Sequence, residues 1–336
     1  MKYTIIISLL FVVLNAQSQS SLNELVEQGI EYHDAGNYED AINVYKEALV
    51  LDPKSLLVHY EISLSYFKMN NCEKAIEHSK VVVKANKDHL IPAYLVQGSC
   101  LDLLGKTRQS IKLFEKGIKK LGDDYLLHYN LGLNYFKLKD YKKTEIYAIN
   151  AIKANANHSS SHFLLGYANY FQNKTVESLL PVYYFLMLEP ETKRSQEGYA
   201  LLKDVFGGNV TEDPDKPNTI NISIPSSGLD SEFAAAEMLI PLLESSKLRE
   251  DNKDKTEDEM FIENTTSVFK VLGESKNEAR SFYSEFYVPF FYNLATSEHI
   301  NAFCNYIIQN SSKDAQSWIA ENNTKLNAFV EWVNSN

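Results

Sequence analysis

The sequence predicts an all-α protein: a solenoid of helical hairpins followed by a smaller helical region. Two observations carry that expectation. From Leu22 onward, small residues recur in phase five times at intervals of about 34 residues, the length of one helix–turn–helix unit. Beyond Lys193, apolar residues continue at helical spacing through an acid-rich stretch. A chain of 336 residues, 44% hydrophobic and 12% aromatic, can bury a core of that size.

The first element is a leader. Lys2 precedes an apolar run from Ile5 to Leu14, followed by Asn15, Ala16 and a Gln/Ser segment. This is the form of a secretory signal peptide over residues 1–18. The run is about half the ~20 residues that cross a bilayer. Cleavage after Ala16 or Ser18 is therefore expected, leaving a soluble protein that is periplasmic or secreted. No Cys follows the run, which argues against a lipid-modified N-terminus. Cys72, Cys100 and Cys304 are too few for a disulfide framework in so long a chain and read as small buried hydrophobes.

The repeats then run 22–55, 56–89, 91–124, 125–158 and 159–192, with Leu90 as an extra residue. Position 8 of each is Gly29, Ser63, Gly98, Gly132 and Gly166; position 20 is Ala41, Ala75, Ser110, Thr144 and Ser178. Small side chains at both places let two helices approach closely. Position 11 is Tyr32, Tyr66, Leu101, Tyr135 and Asn169, and Pro53 and Pro190 close the first and fifth units. Gly117 and Gly122 lower helix propensity in the third. The fifth departs twice, with Pro181 inside its second helix and Asn169 where an aromatic is usual.

This pattern resembles the tetratricopeptide repeat (TPR) family, whose units stack so that neighbours bury a continuous core and the ends need caps. Lys193–Phe206, with Tyr199, Leu201, Leu202, Val205 and Phe206 at helical spacing, suits a capping helix. Residues 207–230, rich in Gly and Pro, read as a linker holding one strand-like piece, Thr219–Ile224. An acidic helical C-terminal domain over 231–336 follows. Its expected helices are Glu232–Ser246, kinked or ended near Ile240 by Pro241, then Asp258–Leu272, an aromatic-rich Ser281–Gln309, and Asp314–Val333. In the last, Trp318, Leu326, Phe329, Val330 and Val333 share a face. The aromatic run reads as core. Leader, repeats and acidic aromatic tail together look like exported repeat proteins of the Bacteroidetes group.

The charge of −11 comes almost wholly from Lys193 onward, and no basic stripe accompanies it, so nucleic acid is not an expected partner. His158 and His162 lie four apart but have no third ligand nearby, and His59, His128 and His162 share position 4, where a packing residue is usual. Structural histidines and no metal are expected. The acidic stretches Thr211–Asp215 and Asp251–Glu259 lack the Gly and Glu spacing of a calcium loop. No phosphate loop, nucleophile elbow or zinc-protease motif occurs, so no cofactor and no catalytic activity are expected.

The resemblance implies binding. In the TPR family the first helix of each unit lines a concave groove, with positions 2, 5, 9, 12 and 13 facing a ligand. Positions 5, 9 and 12 here are Tyr60, Leu64 and Phe67, then Leu95, Ser99 and Asp102. The fourth and fifth units supply Tyr129, Leu133 and Phe136, and Phe163, Tyr167 and Tyr170. No unit has the Lys at 5 and Asn at 9 that clamp a peptide carboxylate. The expected function is a non-catalytic scaffold that captures a protein or peptide on an apolar, aromatic groove, or folds its own tail into it. The alternative is a ligand-binding or catalytic domain in 231–336, docked by the repeats.

Overall fold

The computed structural model describes residues 21–208, 210–212, 220–222, 232–248, 252–275 and 280–335. The expected leader and most of the expected linker lie outside the described residues. The chain divides into two compact units, the first ending at Asn134 and the second beginning at Tyr135.

Consecutive helical hairpins occupy the repeat region. α1 (residues 21–34) pairs in sequence with α2 (Tyr38–Leu51), α3 (Leu56–Lys68) with α4 (Cys72–Ala85), and α5 (Leu90–Leu103) with α6 (Thr107–Leu121). The division between units falls within α7 (Tyr125–Lys137), which is followed by α8 (Tyr141–Ala154), α9 (Ser159–Tyr170) and α10 (Thr175–Leu188). Each turn is made the same way. The residue at position 15 is left-handed in all five units: Gly36, Asn70, Gly105, Lys139 and Asn173, with φ from 56° to 80°. The next amide bonds back to the position-11 carbonyl, as Asn37 N to Tyr32 O (2.8 Å) and Lys106 N to Leu101 O (2.8 Å). This closes the first helix and points the chain into the second.

The small residues act where the spacing places them. A Cβ on Gly29 would lie 2.2 Å from the Tyr45 ring, on Gly98 2.1 Å from Phe114, and on Gly166 2.4 Å from Val182. Position 8 is thus a slot for the side chain at position 24. Position 20 does more than stay small: Ser110 Oγ donates to Gly98 O (2.8 Å) and Ser178 Oγ to Gly166 O (2.9 Å). Gly117 does not break α6; it gives room to Tyr94 (3.1 Å), and Gly122 at φ +87° ends the helix.

The first unit holds a core of Leu22, Val26, Ala41, Tyr45, Ala48, Val58 and Ile62, and a second cluster around Cys72, Ala75, Val96 and Cys100. All three cysteines are free and buried.

In the second unit, α10 is followed by α11 (Lys193–Gly207) and a two-stranded antiparallel ribbon, β1 (Val210–Glu212) with β2 (Ile220–Ile222). β2 falls within the strand-like piece; β1 had no alternating signal in three residues. α12 (Ala234–Ser245) continues through Pro241, so of the two expected effects of that proline the helix does not end there. Proline's φ is compatible with a helix, at the cost of one ladder bond and of crowding against the carbonyl four residues earlier. α13 (Glu257–Glu274) begins with a Thr256/Glu259 capping box.

The aromatic stretch folds as α14 (Phe282–Phe286), α15 (Val288–Ala295) and α16 (Ile300–Ile308). The expected final helix is two, α17 (Lys313–Glu321) and α18 (Asn323–Ser335). Asn322 divides them, its side-chain Nδ2 and its backbone N both donating to Trp318 O (2.9 Å each) while its own carbonyl opens α18. Of the residues expected to share a buried face, Phe329 is buried and Val330 is 41% exposed.

The tail aromatics are core, and they share that core with the last hairpin. Tyr183 of α10 is fully buried among the rings of Phe269 (4.9 Å), Phe291 (6.0 Å), Phe261 (6.1 Å) and Phe303 (6.3 Å), and its hydroxyl bonds Thr265 Oγ1 at 2.8 Å.

Candidate functional site

Spacings of four and three place positions 5, 9 and 12 in one stripe along each first helix. In the first unit these are Tyr60, Leu64 and Phe67 on α3, Leu95 and Ser99 on α5, and Tyr129 and Leu133 on α7. All are half-buried except Leu133, which is 38% exposed. Leu64 and Phe67 lean on the Cys72–Cys100 cluster, and Tyr60 stacks on His89 with centroids 5.5 Å apart. Asp102, in the same stripe, accepts a 2.6 Å hydrogen bond from Thr107 Oγ1 and so serves its own turn.

In the second unit, Phe136 and Tyr167 meet in a cluster of four rings. Phe136 lies 5.5 Å from Tyr141, 5.8 Å from Phe171 and 6.4 Å from Tyr167, and Tyr141 stacks on Phe171 at 4.9 Å. Phe171 is 46% exposed. Tyr141 and Phe171 were not singled out from the sequence. Phe171 occupies position 13, one of the family's ligand-facing places, and that register would have found it. Tyr141 opens the second helix just across the turn from Phe136, a proximity that depends on the left-handed Lys139.

Phe163 and Tyr170 have other neighbours. Phe163 is buried, stacked on Phe185 at 4.2 Å, with the Arg194 guanidinium 5.4 Å above it, and the Tyr170 hydroxyl bonds Asp204. Arg194 and Asp204 both belong to α11. The carboxylate of Asp204, with burial behind it, raises the Tyr170 pKa.

The tail meets the hairpin elsewhere, at positions 4 and 11 of α9. His162 Nε2 lies 2.8 Å from Ala156 O, which can only accept, so that nitrogen carries the proton and Nδ1 accepts from Tyr287 OH at 2.7 Å. Burial lowers its pKa to about 4. It is a neutral structural histidine. His158 Nδ1 is engaged by Ser161 Oγ at 2.7 Å. Among the described residues, no three His, Cys, Asp or Glu side chains converge to hold a metal.

Asn169 resolves both oddities of the fifth unit. Pro181 has no N–H to give the Glu177 carbonyl four residues earlier, and Asn169 Nδ2 donates to that carbonyl at 2.8 Å. The same amide reaches Tyr283 OH (2.8 Å), which donates to Glu145 Oε1 (2.8 Å), itself paired with Lys174 (2.7 Å). Glu237 of α12, 5% exposed, accepts from Val176 N (3.0 Å) and so caps α10 from outside. Burial, with the nearby Glu237 charge, pushes the Glu177 pKa up to about 7.

A family model described as TPR repeat matches residues 29–78, from α1 into α4. This stretch is therefore similar to tetratricopeptide repeats. The TPR match covers the first-unit stripe through Tyr60, Leu64 and Phe67. The human protein O-mannosyl-transferase TMTC2 is 31% identical over 108 residues, which are 31% of this chain and 13% of that protein. The chain thus spans about an eighth of the length of this curated relative. Among solved structures, the thermophilic TPR protein TTC0263 of Thermus thermophilus covers 54% of this chain and 99% of its own, at 17% identity and a TM-score of 0.45. YrrB, a TPR protein with an unusual peptide-binding site, covers 52% and 90%, at 11% identity and a TM-score of 0.42. No helix among the described residues is long and apolar enough to cross a membrane.

Proposed function

We propose that this TPR chain is a non-catalytic scaffold that captures a protein or an extended peptide on the aromatic stripe of its first helices. The observation that carries this reading is the open cluster of Phe136, Tyr141, Tyr167 and Phe171. Four rings gathered at a surface, one of them 46% exposed, form the kind of rigid apolar patch that anchors interfaces. Phe163 and Tyr170, engaged by α11, are outside this anchor. Within the first unit, Tyr60, Leu64, Phe67, Tyr129 and Leu133 form a candidate surface of their own, each partly buried and so held in place before a partner arrives. The ligand is read by its apolar side chains and not by a C-terminal carboxylate, since the Lys/Asn pair is missing. Export, with the leader removed, would put that partner in the periplasm or outside the cell.

Selection of random peptides on the immobilised chain tests this. Enriched peptides should carry aromatic or aliphatic anchors and lose about 30-fold in affinity, the effect of one interface hot spot, against Phe136→Ala/Phe171→Ala. Peptides that bind this variant as tightly as the parent would remove the stripe from the reading.

A further inference from the structure

Away from the stripe, the second unit contains a cavity of about 520 Å³ between α11, the end of α12 and the start of α13. That volume lies in the range of small-molecule sites. Its wall is apolar where Leu202 and Phe206 of α11 face Met260 and Phe261 of α13. The rest of the lining is polar, with Glu244, Asn252, Lys253, Thr256 and Glu257 among it, and two features stand out. Asn264 is 5% exposed and lines the cavity, yet its side-chain amide makes no hydrogen bond among the described residues. A ligand atom is a natural partner for an amide that lines a cavity and has no partner among the described residues.

The second feature is charge. Lys247 and Lys255 line the cavity but are engaged by Glu244 and Glu263, at 2.6 Å each. Lys203 differs. Its ammonium lies 5.0 Å over the Tyr199 ring and holds no carboxylate among the described residues. A cavity with an apolar wall, an amide open to a ligand atom and, in Lys203, an ammonium with no carboxylate partner among the described residues suits an apolar body that carries an anionic acceptor. We propose that it binds an anionic amphiphile, a carboxylate on a medium-length aliphatic or aryl body. The body lies against Phe206, Met260 and Phe261, and the carboxylate accepts from Lys203 Nζ and Asn264 Nδ2. The site is independent of the peptide stripe, so either can fail without the other.

Isothermal titration of the full chain with sodium decanoate, below its micellar concentration, tests the proposal. One saturable site per chain is expected. 1-Decanol, which keeps the body and loses the charge, should bind at least about tenfold more weakly, as should decanoate to Lys203→Glu, each lacking one charge-assisted contact. Lys203 is exposed, so this variant keeps the fold, which its thermal melt checks. Met260→Trp fills the cavity and should abolish binding. No saturable binding of decanoate, equal affinity for decanol, or unchanged binding by Lys203→Glu would each overturn the proposal.

Discussion

A methyl group decides whether a repeat closes. Gly29 lies under Tyr45 with 2.2 Å where its Cβ would go, whereas Gly36 has open space around it and needs only its φ of +80°. Gly29→Ala must push a fully buried ring aside and should cost about 1–3 kcal/mol or more. Gly36→Ala pays only the left-handed backbone, about 1 kcal/mol; urea midpoints of the two variants measure the ordering. Two buried groups set opposite pH slopes. The unfolded His162 takes up a proton near pH 6.5 but the folded one only near about 4. Its contribution is therefore intact above pH 6.5 and is lost as the pH falls toward 4, by up to roughly 3 kcal/mol. His162→Gln should flatten the acid limb of stability against pH. Glu177 runs the other way, from 4.5 unfolded to about 7 folded, so its stability is full below pH 4.5 and falls as the pH rises through 7. Glu177→Gln should stabilise by roughly 2–3 kcal/mol at pH 8 and leave the stability below about pH 4 nearly unchanged.

Between elements, the pairing of Asn169 with Pro181 makes a sharper claim than either residue alone. Asn169→Leu leaves the Glu177 carbonyl buried and unbonded in the parent. With Pro181→Ala, the new amide restores the helical bond, and the loss of Asn169 should then hurt less. A double-mutant cycle read by urea denaturation should give a coupling of about 1–2 kcal/mol; strict additivity would remove the explanation. The same pair marks what a sequence can and cannot say here. The hairpins were legible because Gly29, Gly98 and Gly166 recur in phase, and a phase needs no knowledge of contacts. Asn169 and Pro181 stood out only as departures, since the bond that joins them depends on how α9 crosses α10. The division of the last helix at Asn322 was hidden for a related reason: apolar spacing continued past it, and its cap is a local side-chain bond. At the candidate site, Phe136 and Tyr167 were found through register, while Tyr141 entered the cluster only through the turn.

At the scale of the second unit, the tail completes the last hairpin and is not an appendage to it. α10 is apolar all round, with Leu179, Leu180, Tyr183, Phe185 and Leu186 buried, and only one side of it can face α9. A helix of that kind has to be covered on its remaining sides. The tail covers it with Phe269, Phe291 and Phe303, bonds its Tyr183 hydroxyl through Thr265, and caps its N-terminus with Glu237. The tail therefore answers the need of a terminal repeat for a polar outer surface, beside α11, which the sequence marked as a capping helix. A chain ending at Gly208 should expose that face. Hydrogen exchange read by mass spectrometry should then show protection lost over α9–α11 and retained over α1–α6, whose cores are built within the first unit. Protection of α10 unchanged by the truncation would mean that the hairpin stands without its tail, and that the aromatic core of residues 282–308 serves some other end.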